Sequence, residues 1–210
     1  MIVVGVRPAR QSRVKLVLDT GEEVSLDKKT WEESAYSVDS SLSQEELEAL
    51  ICESDHRRAK SRAVYLLSKR DLSRRELEQK LCREKGRFVA ENRELARETA
   101  AYMEQLGYVN DAEYAAHLAV RYTREKLYPK RRVLQKLMEK GIARAQAEEA
   151  VAALETDDGD LALEFLHKKR YTVPREQAEA DRIAAAMARY GFAGEDIRRA
   201  MRRWMEGEHE

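Results

Sequence analysis

One short pattern, written several times along the chain, limits what the chain can fold into. An apolar residue precedes a capping residue, and three positions past the cap stands an acid followed by another apolar residue. It reads Leu42-Ser43-x-x-Glu46-Leu47, Leu72-Ser73-x-x-Glu76-Leu77 and Val109-Asn110-x-x-Glu113-Tyr114. In each, the cap oxygen accepts the third helical amide, the acid reaches back to the cap amide, and the apolar pair sets the angle of chain entry. Each copy predicts a helix start. Gly107-Tyr108 predicts the stop before the third, with Gly as the left-handed residue beyond the last turn. Gly141-Ile142-Ala143-x-x-Gln146 and Gly191-Phe192-Ala193-x-x-Asp196-Ile197 repeat the stop and start with Ala at the cap, Gly194 being a substitute cap in the last. The helices before the glycines also match: Leu77-x-x-x-Leu81 before Gly86, Leu134-x-x-Leu137 before Gly141, Ile183-x-x-x-Met187 before Gly191. These glycines recur every ~50 residues, a period expected of a helical repeat array.

Composition agrees. Charged residues make up 37% of 210, and three prolines and nine glycines interrupt the chain. That mix predicts long solvated helices with narrow apolar stripes. The 39 basic and 39 acidic side chains cancel, which argues against a dedicated high-affinity nucleic-acid binder. The balance is uneven: residues 1–54 carry 6 basic and 11 acidic groups, residues 55–110 carry 14 and 9. Cys52 and Cys82 read as buried free thiols. No apolar run long enough to span a membrane is present, so the chain reads as cytoplasmic.

In order, Ile2–Val6, Arg13–Leu18 and Glu22–Leu26 alternate as short β-branched strands around the turn Asp19-Thr20-Gly21, predicting a hairpin or three-stranded sheet. Helices are expected at Lys28–Ser37, after Ser43, and at Asp55–Arg70. The fold class expected is mostly α: three tandem three-helix repeats forming an elongated curved array, preceded by the small N-terminal β element plus helix. The segments are 1–54 (extension), 55–110, 111–156 and 157–206 (repeats), and 207–210 (acidic tail). The first repeat is Asp55–Arg70, Arg74–Lys85 and Asn92–Leu106, the last burying Leu95, Thr99, Tyr102, Met103 and Leu106. The second is Asp111–Lys126, Lys130–Lys140 and Arg144–Glu155. The third is Leu161–Arg170, Pro174–Tyr190 and Glu195–Met205. No strand is expected in 55–205. Each unit has too little apolar surface to stand alone, so neighbours must cover it.

The residues predict no chemistry. His56, His117, His167 and His209 are scattered and fit no metal-ligand spacing, and neither a phosphate loop nor an activated nucleophile is present. No cofactor, metal or catalytic residue is expected, and the chain does not read as an enzyme. The remaining signal is basic. Arg70, Arg74 and Arg75, then Lys130, Arg131 and Arg132, then Lys168, Lys169 and Arg170 fall near the junction of the first and second helices of each repeat. Any one cluster reads as a solvated face. Their recurrence suits a periodic partner, and the nearby Tyr65 and Tyr171 suit a phosphate or protein interface.

Three stretches carry a resemblance: Leu66-Leu67-x-x-Arg70-x-x-Ser73-x-x-Glu76-Leu77-x-x-Lys80-Leu81, then Leu106-Gly107-Tyr108-Val109-Asn110-Asp111-x-x-Tyr114-Ala115, then Arg189-Tyr190-Gly191-Phe192-x-x-Glu195-Asp196-Ile197. From about Ala59 to Trp204 the chain resembles RecX, the bacterial regulators of the RecA recombinase. The resemblance implies three tandem three-helix repeats lying in the helical groove of the RecA filament on single-stranded DNA. There they would hinder filament growth, ATP hydrolysis, strand exchange and co-protease action, in DNA repair and the SOS response. It implies a monomer with RecA as partner, at most a weak direct contact with DNA, no membrane, and no catalytic residues. The alternative is a helical regulator acting on duplex DNA without RecA. Against it, no helix is studded with Asn, Gln and Arg for base edges.

Overall fold

A computed structural model describes residues 1–84, 87–88 and 92–207. The expected stop at Gly86, His209 and the tail beyond Gly207 lie outside the described residues. The chain divides into two compact units, one of Met1–Asp71 with Leu77–Val109, the other of Leu72–Glu76 with Asn110–Glu210.

In the first unit, strands β1 (Val3–Ala9), β2 (Arg13–Leu18) and β3 (Glu23–Asp27) form an antiparallel sheet in chain order. Leu16 opposes Val24 and Val14 opposes Leu26. Alternation therefore puts Val14, Leu16, Leu18 and Leu26 on one buried face, which packs with Val3, Leu42, Leu47 and Leu50. A three-stranded sheet is marginal alone, and this one leans on the next helices. Helix α1 (Lys28–Glu32) starts at Asp27, whose carboxylate accepts the Lys29 and Thr30 amides. The Asp27 N–H donates to the buried hydroxyl of Ser54 at 2.7 Å, which ties the sheet to α2.

Helix α2 runs unbroken over Gln44–Leu67, opened by the complete Ser43/Glu46 capping box. The two helices expected on either side of residue 54 are one, because nothing between Glu53 and His56 breaks helical hydrogen bonding. Helix α3 (Arg74–Leu81) is shorter than expected. It gives way to two short strands, β4 (Arg83–Glu84) and β5 (Arg87–Phe88), paired antiparallel, so the expectation of no strand in 55–205 is corrected. Arg62 donates to the Lys80 carbonyl (3.3 Å), left over in the last turn of α3, and to the Arg83 carbonyl (2.7 Å) in β4. Helix α4 (Arg93–Gln105) packs along α2 and buries Ala96, Thr99, Ala100 and Met103. Tyr102 and Leu106, expected inside, are 38% and 51% exposed. The Lys60 ammonium covers the Tyr102 ring at 4.3 Å. Cys52 is exposed and Cys82 buried, so only the second fits its expectation.

The second unit holds two three-helix groups: α5 (Asp111–Lys126), α6 (Lys130–Glu139) and α7 (Arg144–Ala152), then α8 (Asp158–Lys168), α9 (Gln177–Tyr190) and α10 (Gly194–Met205). The first helix packs on the third in both. Their cores match position for position at an offset of 50 residues: Val133, Leu137, Ile142, Ala147 and Ala150 in one, Ile183, Met187, Phe192, Ile197 and Ala200 in the other. Asn110 caps α5 through the Glu113 amide at 3.2 Å, with Glu113 meeting the Asn110 side-chain amide instead of its backbone. Asp157 caps α8. Ala143 and Ala193 are the caps of α7 and α10 and supply no side-chain bond. Gly194 is the first helical residue, so it does not take over the cap.

Candidate partner-binding surface

The basic residues sit at helix ends. Arg74 and Arg75 open α3, and Lys130, Arg131 and Arg132 fill the first turn of α6. The positive end of the helix dipole disfavours cations there by about 0.3–1 kcal/mol each. Helix stability therefore does not explain them. Lys168 and Lys169 end α8, and Arg170 follows with φ 57°. Arg70 lies beyond α2 and donates to the Asp71 carbonyl.

Two of these helix starts are capped from elsewhere in the chain. The Arg74 N–H donates to the Asp111 carboxylate at 2.8 Å. The Lys130 N–H donates to both oxygens of Asp158, at 3.1 and 3.2 Å. Asp111 is the first residue of α5 and Asp158 of α8, so a residue in the first turn of one helix caps the start of another. Burial pushes the Asp158 carboxyl above the usual aspartate range, with the Lys130 amide pulling the other way. Pro129 fits this role at the cap of α6, since it has no side-chain acceptor to compete.

The same ends also meet helix ends of opposite polarity. Ser73 Oγ accepts the Glu76 amide (3.1 Å) and donates to the Lys140 carbonyl (2.5 Å) at the end of α6. The Glu76 carboxylate accepts from the Lys140 ammonium (2.8 Å) and the Tyr114 hydroxyl (3.1 Å). Gly141 follows at φ +87°, and a Cβ there would lie 2.5 Å from the Arg75 Cβ. One group further on, Arg132 donates to the Tyr190 carbonyl (2.5 Å) at the end of α9. Its guanidinium lies over the rings of Tyr128 (4.2 Å) and Tyr190 (4.3 Å). The Tyr190 hydroxyl donates to the Lys126 carbonyl. Gly191 (φ +116°) lies against the Arg132 side chain. So the start of α3 meets the end of α6, and the start of α6 meets the end of α9. Complementary dipole ends adjoin at both places.

Between α6 and α9 opens a cleft of about 400 Å³, lined by Arg131, Arg132, Gln135, Lys136 and Arg189 with the Tyr190-Gly191-Phe192 turn. The structure thus brings Arg131 and Arg132 together with two cations absent from the sequence-predicted set, Lys136 and Arg189. Arg189 was legible as the residue two before the repeating glycine, but only the fold sets it opposite α6. Lys168 instead donates to the Glu125 carbonyl (3.0 Å), and Lys169 sits 5.9 Å from the Phe165 ring.

No group of His, Cys, Asp and Glu among the described residues could hold a metal ion, and no described helix is long and apolar enough to cross a membrane. His56 is tied to its own unit. Its Nδ1 meets the Cys52 carbonyl (2.8 Å) and its Nε2 the Glu98 carboxylate (3.0 Å), and both raise its pKa. Burial pushes the Cys82 thiol up, away from the reactive thiolate.

Comparison with known proteins gives a consistent result. Residues 110–151 match the family described as RecX, second three-helix domain. A regulatory protein RecX of Vibrio cholerae is 34% identical over 140 residues, covering 66% of this chain and 88% of the relative. One of Clostridioides difficile is 27% identical over 163 residues, covering 76% and 74%. A crystal structure of regulatory protein RecX superposes with a TM-score of 0.67 at 17% identity, over 95% of this chain and 98% of that one. RecX from Lactobacillus salivarius superposes at 0.59 and 20% identity, over 72% and 97%.

Proposed function

Because the chain belongs to the RecX family of regulatory proteins, we propose that it is a negative modulator of the RecA recombinase. It binds in the helical groove of the RecA filament on single-stranded DNA and hinders filament growth, ATP hydrolysis, strand exchange and co-protease action. It works in the cytoplasm as a monomer, without a cofactor, through residues 55–206 read as three tandem repeats. The basic positions Arg70, Arg74, Arg75, Lys130–Arg132 and Lys168–Arg170 face the partner or its DNA.

The observation that carries this reading is the pair of matched helix-end junctions, Ser73 and Glu76 on Lys140 and Arg132 on Tyr190. Both lie inside the second unit and join helix ends by hydrogen bonds and charge, each beside a positive-φ glycine packed against an arginine side chain. Modules joined this way act as a splint. Once one engages a subunit of a polymer, the next engages at high effective concentration. Bridging at one spacing then resists the changes that turnover and extension require.

The test is co-sedimentation with RecA filaments assembled on single-stranded DNA with a non-hydrolysed nucleotide. The chain should pellet with filaments and not with the DNA alone. Recovery in the supernatant in both cases contradicts the proposal.

A further inference from the structure

We propose that the cleft between α6 and α9 is an anion-binding site, and that its occupant is an acidic segment of a partner protein rather than the backbone of a nucleic acid. The site is argued on this chain alone, so it does not depend on the partner's being RecA.

Four cations line the cleft: Arg131, Arg132 and Lys136 from α6, and Arg189 from α9. Two are already engaged. Arg132 holds the Tyr190 carbonyl, and Lys136 pairs with Glu139 at 2.6 Å. Arg131 and Arg189 are exposed, and neither makes an ion pair or side-chain hydrogen bond among the described residues. Two guanidiniums, brought to one cleft from two helices and left without an anion, are an incomplete arrangement. Guanidinium matches the planar, two-oxygen geometry of a carboxylate.

The repeat supplies an internal control. Aligning Leu77-Glu78-Gln79-Lys80-Leu81 with Val133-Leu134-Gln135-Lys136-Leu137 puts Arg75 at the position of Arg131, Glu76 at that of Arg132 and Lys80 at that of Lys136. At the offset of 50 residues, Glu139 stands where Arg189 does. The earlier set is therefore two cations and two anions, and the later set is four cations. A junction of this kind forms with balanced charge, so the excess at α6 and α9 is not a requirement of the fold. The dipole of α6 opposes Arg131 and Arg132 in its first turn, while Lys136 and Arg189 stand in the last turns of α6 and α9, where a cation is favoured.

Size and continuity decide the class of anion. The cleft has room for a pair of carboxylate side chains. Single-stranded nucleic acid is held along a continuous basic groove with aromatic platforms for successive bases. Here the equivalent positions one repeat earlier carry Glu76 and Glu139, so the basic track does not continue.

The experiment is fluorescence anisotropy on the full chain with two probes, fluorescein-labelled hexaglutamate and a fluorescein-labelled oligo(dT) of similar charge, at low ionic strength. Hexaglutamate should bind saturably. Arg131→Glu with Arg189→Glu should weaken it about tenfold or more, and Arg131→Gln with Arg189→Gln should weaken it in the same direction. Arg124→Glu with Arg198→Glu, the same charge change at exposed positions of the same unit, should alter it less than about twofold. Circular dichroism checks that each variant is folded, and the glutamine pair stands in if the glutamate pair is not. Hexaglutamate binding that is absent, or equally sensitive to the control pair, overturns the site. Loss of oligo(dT) binding in the cleft variants with hexaglutamate binding intact assigns the cleft to nucleic acid and overturns the proposal.

Discussion

The Asp158 carboxylate accepts the backbone N–H of Lys130, 28 residues away, at the start of a helix whose own cap, Pro129, offers no side-chain acceptor. Asp111 does the same for Arg74. Both acids stand immediately after a cap, Asn110 or Asp157, so the cap-and-acid pair starts one helix and anchors another. This explains how α6 tolerates three cations in its first turn.

Removing the Asp158 acceptor should cost about what a helix cap contributes. Asp158→Ala is expected to destabilise the chain by about 1 kcal/mol in urea at pH 7. Asp158→Asn should behave differently. Burial raises the folded pKa of this carboxyl above its unfolded value. Its favourable contribution is therefore fullest below the ordinary aspartate pKa and is lost as pH rises through the raised folded value. An uncharged acceptor avoids that loss, so Asp158→Asn should match or exceed the wild type at pH 7. A destabilisation as large as that of Asp158→Ala would show that the charge itself is needed.

Three glycines with positive φ separate backbone strain from crowding. Gly107 (φ +76°) has nothing within 4 Å of a Cβ, while at Gly141 a Cβ would meet the Arg75 Cβ at 2.5 Å. Gly107→Ala should cost about 1 kcal/mol from conformation alone. Gly141→Ala should cost roughly 2–3 kcal/mol, because overpacking is added. Gly191→Ala, with Arg132 Cβ at 3.1 Å, should fall between them. Equal shifts in the urea midpoint at all three would refute the packing role of the junction glycines.

His56 should titrate above the usual histidine range in imidazole NMR spectra, because the Cys52 carbonyl and the Glu98 carboxylate both favour the charged ring. Its folded pKa is raised. The stability it adds is thus fully present below the unfolded value of about 6.5 and is lost as pH rises through the folded value. Glu98→Gln should lower the His56 pKa and shrink its advantage below that pH. No change in the titration would rule out the contact in solution.

A chain ending at Glu155 lacks α8–α10 and should inhibit the DNA-dependent ATPase of RecA far more weakly than the full chain, because one module of the splint is gone. Circular dichroism must show α5–α7 intact, since Leu127 and Arg132 lose their cover. Equal inhibition at equal concentration contradicts the splint.

Most helix starts were legible because a cap is a local device. Ser43, Ser73 and Asn110 sit three residues before the acid that completes or supports each cap, and the missing caps at Ala143 and Ala193 were equally plain. The glycine stops at 107, 141 and 191 were legible for the same reason, since each has the positive φ its role requires. Less was legible where local rules are silent. Helix α2 crosses residue 54 without a break. The β4–β5 pairing replaces the expected last turn of α3. Tyr102 and Leu106 lie outside although the apolar period of α4 would admit them.

Spacing along the chain determined the helical class, the repeating stop and start, the small sheet and the basic helix ends, because a cap, a turn or an amphipathic stripe is settled within a few neighbouring residues. The fold alone decided which acid caps which distant helix, that Glu76 and Arg132 hold matched junctions with opposite charge, and that Arg189 stands across a cleft from Arg131. Those partners lie tens of residues apart, and only packing chooses among the many cations and acids that could have met.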